Sequence, residues 1–216
     1  MVHVLHKKQV RLLFGIKGTM HKANKGPVYD HHHAVQFYGD DASLFTTVAG
    51  FLSQGFVDGH PAIVIATEDH RTAILEHLRG RLIDVDKAQQ MGSLIVLDAR
   101  QTLDLFMENG MPDRERFEAS VGKLIAEVLE GREDRILIRA YGEMVDVLWK
   151  EGKSNAAIRL EMLWNRLAQR YGFALLCGYS MGNFYKETKG FEQICREHTH
   201  IVAARAEPAV AGKRTN

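Results

Sequence analysis

Cysteine is scarce, with only Cys177 and Cys195 in 216 residues. Two are too few for a disulfide framework, and no second Cys or His pair stands at zinc-ribbon spacing, so both are read as reduced thiols. Cys195, His198 and His200 place three potential ligands on one short stretch without a carboxylate partner. His31–His33 reads as a polar lead-in to a strand, and no metal or other cofactor is assigned. The chain lacks the apolar h-region of a signal peptide, and no stretch approaches the roughly 18 apolar residues of a membrane helix. A cytoplasmic location is the expectation. There is no charge excess either: the formal net charge is +1, which gives the domain as a whole no pull on nucleic acid or an acidic membrane. No internal repeat is visible.

A phosphate loop is also missing. Glu151-Gly152-Lys153-Ser154 carries the ending of one, but Val147 occupies the place of its first glycine, and the segment follows a helical pattern instead of a strand. Ser180 has no nucleophile-elbow context, and no histidine stands at an obvious distance to activate Cys177. Catalysis is not indicated.

What is present fits one globular domain, with 45% hydrophobic and 25% charged residues. Residues 1–30 form a basic arm, expected to be flexible: Lys7, Lys8, Arg11, Lys17, Lys22 and Lys25 come without an acid before Lys25. Residues 31–202 form the domain, and 203–216 read as a disordered tail without apolar periodicity. Within the domain, runs rich in Val, Ile and Leu alternate with helical patterns, which predicts an α/β fold with a mainly parallel sheet of about five or more strands. The strands are placed at Ala34–Tyr38, Ala62–Thr67, Leu94–Asp98, Ile136–Tyr141 and Phe173–Tyr179. Helices are expected from Asp40 or Asp41 to a stop at Gly55 and Gly59, and over Asp69–Leu78, Asp84–Met91, Thr102–Met107, Asp113–Glu130 and Met144–Lys150. Ser154 caps a further one with Leu160, Leu163, Trp164, Leu167 and Tyr171 on one face.

Ligands of open parallel sheets bind beyond the carboxyl ends of the strands. Those ends nominate Tyr38, Asp40, Asp41, Thr67, Asp98, Tyr141, Glu143 and Tyr179. The result is an aromatic, acidic rim suited to a small organic or cationic ligand and ill suited to phosphate. Tyr38, Tyr141, Glu143 and Tyr179 are expected to line one pocket, with Trp149 and Trp164 behind it. Arg139 completes the candidate set, because an arginine within an apolar strand calls for an anion, which Glu143 or Asp98 could supply. Each of these residues also has a plain structural reading, as a core tyrosine, a helix cap or an ion pair.

Several segments carry a family resemblance: HAVQFY (His33–Tyr38), FLSQGFVDG (Phe51–Gly59), TEDHR (Thr67–Arg71), and Gly92–Gly110 followed by Pro112-Asp113. The longest is RAYGEMVDVLWKEGKSNAAIRLEMLWNRLA (Arg139–Ala168), followed by LLCGY (Leu175–Tyr179) and ICREH (Ile194–His198). Together they resemble the MEDS family, the sensory domain of methanogen and methylotroph dichloromethane regulators. The resemblance implies a RecA-like three-layer α/β/α fold, related to the circadian-clock ATPases but without a phosphate loop. It also implies a bacterial-type role in sensing hydrocarbon derivatives and a protein partner such as a histidine kinase or transcription regulator. Two other readings stay open, an enzyme using the strand-end tyrosines and carboxylates, and a nucleic-acid binder acting through the basic arm.

Overall fold

A computed structural model describes residues 4–6, 32–132, 136–184 and 188–202. The expectations for the remainder of the arm and for the 203–216 tail fall outside the described residues. Seven strands form the main sheet: β1 (Val4–His6), β2 (His33–Tyr38), β3 (Ala62–Ala66), β4 (Leu94–Asp98), β7 (Arg139–Gly142), β8 (Ala174–Ser180) and β9 (His200–Val202). Their order is β1-β9-β2-β8-β7-β3-β4, and a separate two-stranded ribbon pairs β5 (Met107–Glu108) with β6 (Met111–Pro112). Every pairing from β9 to β4 is parallel, and β1 closes the edge antiparallel to β9. The five expected strands are all present. β9 and β1 are additional, and β1 belongs to the segment read as a flexible arm.

Helices cover both faces. On one lie α1 (Asp41–Val57), α2 (Glu68–Arg79) and α3 (Val85–Gln90), packed through Leu44, Val48, Leu52, Ile74 and Leu78 onto Val64, Tyr141 and Leu176. On the other lie α4 (Ala99–Asp104), α5 (Arg114–Phe117), α6 (Lys123–Leu129), α7 (Met144–Lys150), α8 (Ser154–Tyr171) and α9 (Thr188–Glu197). The result is a three-layer α/β/α fold. Asp40, Asp84, Asp98 and Asp113 each accept a backbone N–H from the first turn of the following helix, so four helix starts are written in the sequence as aspartates. Between α5 and α6 the chain widens into a π segment, Glu118–Gly122, within what reads as one helix. Trp164 is buried against the edges of Phe117 and Phe173, which makes it scaffold of the second layer.

Two local expectations are corrected. The helix expected to end at Met107 ends at Asp104, and Met107 instead enters the ribbon, which turns at Asn109 and Gly110 with φ of 50° and 79°. Gly55 does not stop α1, which continues to Val57 before Gly59 turns at φ 75°. Gly55 is there for clearance: a Cβ at that position would stand 2.6 Å from Cδ of Arg139.

Arg139 lies across α1, its guanidinium donating to the Phe51 carbonyl (3.1 Å) and stacking 5.2 Å from the Phe51 ring centroid. Gly55→Ala should therefore destabilise the protein by about 1–3 kcal/mol through overpacking, despite the better helix propensity of alanine. In an Arg139→Ala background the same change should become neutral or stabilising by up to about 1 kcal/mol. Urea unfolding of the four proteins in this cycle measures the coupling, and equal effects in both backgrounds would rule out the clash.

Candidate functional site

Side chains of successive strand residues point to opposite faces, so register decides which strand-end groups meet. Tyr38 is level with Ser180, and Phe37 with Tyr179. Tyr38 and Tyr141 consequently face α1 and α2, whereas Tyr179 faces α7 and α8. The expected pocket lined by Tyr38, Tyr141, Glu143 and Tyr179 together does not exist. Trp149 and Trp164 both belong to the Tyr179 side, where Trp149 meets the Tyr179 ring edge-on at 6.0 Å. All three tyrosines are buried.

At the carboxyl edge, Glu143 follows β7 and its carboxylate meets three groups. Its Oε1 accepts the Thr67 backbone N–H (2.6 Å), and its Oε2 accepts the Tyr141 hydroxyl (2.9 Å) and faces Nδ1 of His70 (2.6 Å). Thr67 thus contributes through its amide at the start of α2. The Tyr141 ring reaches Glu143 over Gly178, where a Cβ would lie 2.8 Å from the phenol oxygen. Burial alone would push the Glu143 carboxyl up, but the hydrogen bond and charge of His70, together with Thr67, hold it below its ordinary 4.5. The hydrogen bond to Glu143 raises His70 above 6.5, with burial opposing. Burial first, then the charges of Glu143 and Tyr38, drive the Tyr141 phenol well above its usual value, so it stays a donor.

His70 directs its other nitrogen, Nε2, toward the Asp41 carboxylate at 3.8 Å, with side-chain exposures of 13% for His70 and 62% for Asp41. Beside it, Asp146 of α7 accepts the Tyr38 hydroxyl (3.2 Å), the Ser180 amide (2.9 Å) and the Asn183 side chain (2.6 Å), and pairs with Lys150 at 2.8 Å. The carboxyl edge therefore brings Tyr38, Asp41, Thr67, Tyr141 and Glu143 together around His70, a residue the strand-end reading passed over. His70 lies three positions after Thr67 and so one helical turn above the strand end, a spacing that could have nominated it. Asp146, Lys150 and Asn183 were missed for the same reason.

Asp40 and Asp98 serve as caps. Asp40 Oδ1 takes the Ser43 amide at 2.7 Å, and Asp98 takes the amides of Arg100 and Gln101 and pairs with Arg71 at 3.2 Å. Arg139 meets neither Glu143 nor Asp98, because it opens β7 at the amino edge of the sheet, with Asp58 as its favourable charge. Glu151-Gly152-Lys153 is a turn between α7 and α8, with Gly152 at φ 73°, and Ser154, expected as the cap, is instead the first residue of α8, with Lys153 in the cap position. Elsewhere, an open groove of about 430 Å³ runs between α5 and α8, lined by Arg114, Phe117, Glu118, Leu163, Arg166, Leu167 and Arg170. Two of its cations are engaged, Arg114 with Glu118 and Arg170 over Tyr171, and none of its lining residues belongs to the carboxyl-edge group.

The His70–Glu143 pair makes stability depend on pH. A raised histidine pKa contributes stability below its unfolded value of about 6.5 and loses it as pH rises through the folded value; a lowered carboxylate contributes above about 4.5 and fades as pH falls. The pair therefore stabilises most between those limits. Chemical unfolding between about pH 5 and pH 9 should show wild type losing stability on the alkaline side relative to His70→Gln. Parallel curves for the two proteins would show that the pair is not coupled to folding.

No curated protein matches this sequence. The family described as MEDS, "MEthanogen/methylotroph, DcmR Sensory domain", matches residues 32–199, which takes in β2 through α9 and every residue of the carboxyl-edge site. With most of the chain covered, this protein belongs to the MEDS family of sensory domains.

Proposed function

We propose that the carboxyl edge of the sheet, around His70, binds a small organic ligand, and that the occupied domain signals to a regulatory partner protein without transforming the ligand. The observation that carries this reading is the placement of His70. One ring nitrogen is anchored on a buried, ionised Glu143 and the other faces the exposed rim beside Asp41. Such a ring offers an oriented polar contact backed by a fixed carboxylate, the sparse polar chemistry typical of small-molecule sites. Membership of a sensory family supports the signalling role. The ligand class that the family resemblance implies, hydrocarbon derivatives, agrees with the aromatic surface that half-buried Phe45 brings edge-on to the imidazole at 5.1 Å. A histidine kinase or a transcription regulator is the kind of partner this role requires.

Nucleotide binding is disfavoured by the first turn of α1. Its N-terminal amide is already taken by the Asp40 carboxylate, and Asp41 adds a second negative charge where a phosphate would need amides and a lysine. An enzymatic reading is kept because a histidine backed by a carboxylate can also act as a general base. Against it, Cys177 and Tyr179 are buried on the opposite face of the sheet.

A thermal-shift screen of small halogenated and one-carbon compounds, with magnesium-ATP alongside, tests the proposal. A ligand at a hundredfold excess over its Kd stabilises by about 2.7 kcal/mol. The expected result is a hit among the organic compounds that His70→Ala abolishes while the compound is recovered unchanged. Consumption of the compound would favour the enzyme, and micromolar ATP binding would overturn the assignment.

A further inference from the structure

On the other face of the sheet, four side chains from distant parts of the chain converge on one buried point. His33 opens β2, Glu161 lies in α8, Cys177 in β8, and His198 follows α9. None is more than 1% exposed, and one ligating atom from each lies within 4.8 Å of all the others. The separations are 3.2 Å from His33 Nε2 to Glu161 Oε2, 3.3 Å from His33 Nε2 to Cys177 Sγ, 3.5 Å from Cys177 Sγ to Glu161 Oε2, and 3.4 Å from His198 Nε2 to Glu161 Oε1. Metal bonds of about 2.0–2.3 Å arranged tetrahedrally give ligand-to-ligand edges of roughly 3.3–3.7 Å; the His33, Cys177 and Glu161 Oε2 contacts are close to one face of that size, and His198 reaches the other oxygen of the same carboxylate.

We propose that His33, Glu161, Cys177 and His198 form a closed, four-coordinate site for a zinc-class divalent metal ion that fastens the C-terminal end of the fold to the sheet.

The surrounding hydrogen bonds orient both imidazoles for ligation. His198 Nδ1 stands 2.7 Å from the Ile194 carbonyl, an oxygen that can only accept, so Nδ1 carries a proton and Nε2 is the nitrogen left to ligate. Asn165 places its amide nitrogen on the Glu197 carbonyl and carboxylate, which turns its Oδ1 to His33 Nδ1 at 2.8 Å and fixes the same tautomer there. A ligating histidine whose second nitrogen is held by a carbonyl-type oxygen is the usual outer arrangement of a protein metal site. Tyr179 donates to Glu161 Oε1 at 2.9 Å, holding the carboxylate in place.

Charge and ligand type agree with a metal of this class. Thiolate and carboxylate together balance a divalent ion, so the occupied centre is neutral overall and suited to full burial. Two nitrogens, one sulfur and one oxygen suit zinc and exclude the all-oxygen sets of calcium and magnesium. Binding releases the Cys177 proton to solvent. With four protein ligands there is no open position, which makes the role structural. The neighbouring backbone explains what is fastened: Thr199 donates its amide to the His33 carbonyl (2.7 Å) and accepts the His33 amide on its hydroxyl (3.0 Å), so the metal would lock β9 beside β2. Sequence spacing hid this set, since its members stand at 33, 161, 177 and 198; of the triple weighed there, Cys195, His198 and His200, only His198 takes part.

The test uses the full chain without a histidine tag, stripped by chelator and titrated with Co2+ and Zn2+. One equivalent of Co2+ should bind with intense tetrahedral visible bands and a near-ultraviolet thiolate-to-cobalt band, and Zn2+ should raise the unfolding temperature. Cys177→Ser should lose the thiolate band, and Cys195→Ser should keep it. Asn165→Ala, which removes only an outer hydrogen bond, should weaken Zn2+ by about 10–100-fold in chelator competition. If stripped wild type takes up less than one equivalent, or if the thiolate band survives Cys177→Ser, the proposal is overturned and the four residues form a hydrogen-bonded polar cluster.

Discussion

A carboxylate removed from water is costly unless donors converge on it, and among the described residues three are buried: Glu143, Asp146 and Glu161. Each draws its partners from segments remote in sequence. Glu143 ties the end of β7 to the start of α2, Asp146 ties α7 to β2, to the last residue of β8 and to Asn183 beyond it, and Glu161 ties α8 to β2, β8 and the segment after α9. Apolar packing is close but carries no direction of its own, whereas a buried charge also fixes where the donors must stand. Removing any one donor leaves the charge under-satisfied, so these three side chains add a directional constraint to the apolar packing of α2, α7 and α8 on the sheet.

The two faces of the sheet then diverge in character. Above the carboxyl edge the network ends in groups that reach solvent, Asp41, His70 and Lys150. Behind the sheet, Glu161 is enclosed by His33, Cys177, Tyr179 and His198, with no exposed member. β8 serves both sides by strand alternation: Cys177 and Tyr179 face the enclosed cluster, Gly178 makes room for Tyr141 on the other face, and the Ser180 amide reaches Asp146 at the edge.

That alternation also explains what could be read from the sequence. Five strands were recoverable because each is a short apolar run between turn residues, and four helix starts because an aspartate caps each. β9 has three residues, too few for a period, and takes its strand character from pairing with β2 and β1. The widening at Glu118–Gly122 has no composition of its own; Gly122 lies where a Cβ would stand 3.3 Å from Leu167, so tertiary packing sets it. The strand ends do gather polar groups, Thr67 and Glu143 among them, but register is not a property of one strand. A one-residue offset between Tyr38 and Tyr179 sends them to opposite faces.

Helix residues near an edge are harder to place than strand residues, and the site depends on them. His70, Asp146 and Asn183 all lie beyond the strand ends, and their direction follows from how far each helix is rotated on the sheet. For His70 that rotation is set by apolar packing of Ile74 and Leu78 on the core, one and two turns further along α2. Residues at 70, 74 and 78 share one stripe of a helix, so the stripe that buries the two apolar side chains also carries the imidazole over the buried carboxylate. The position of His70 is thus a consequence of the hydrophobic pattern that makes α2 amphipathic, with its polar end completed only when Glu143 arrives from β7, 73 residues later.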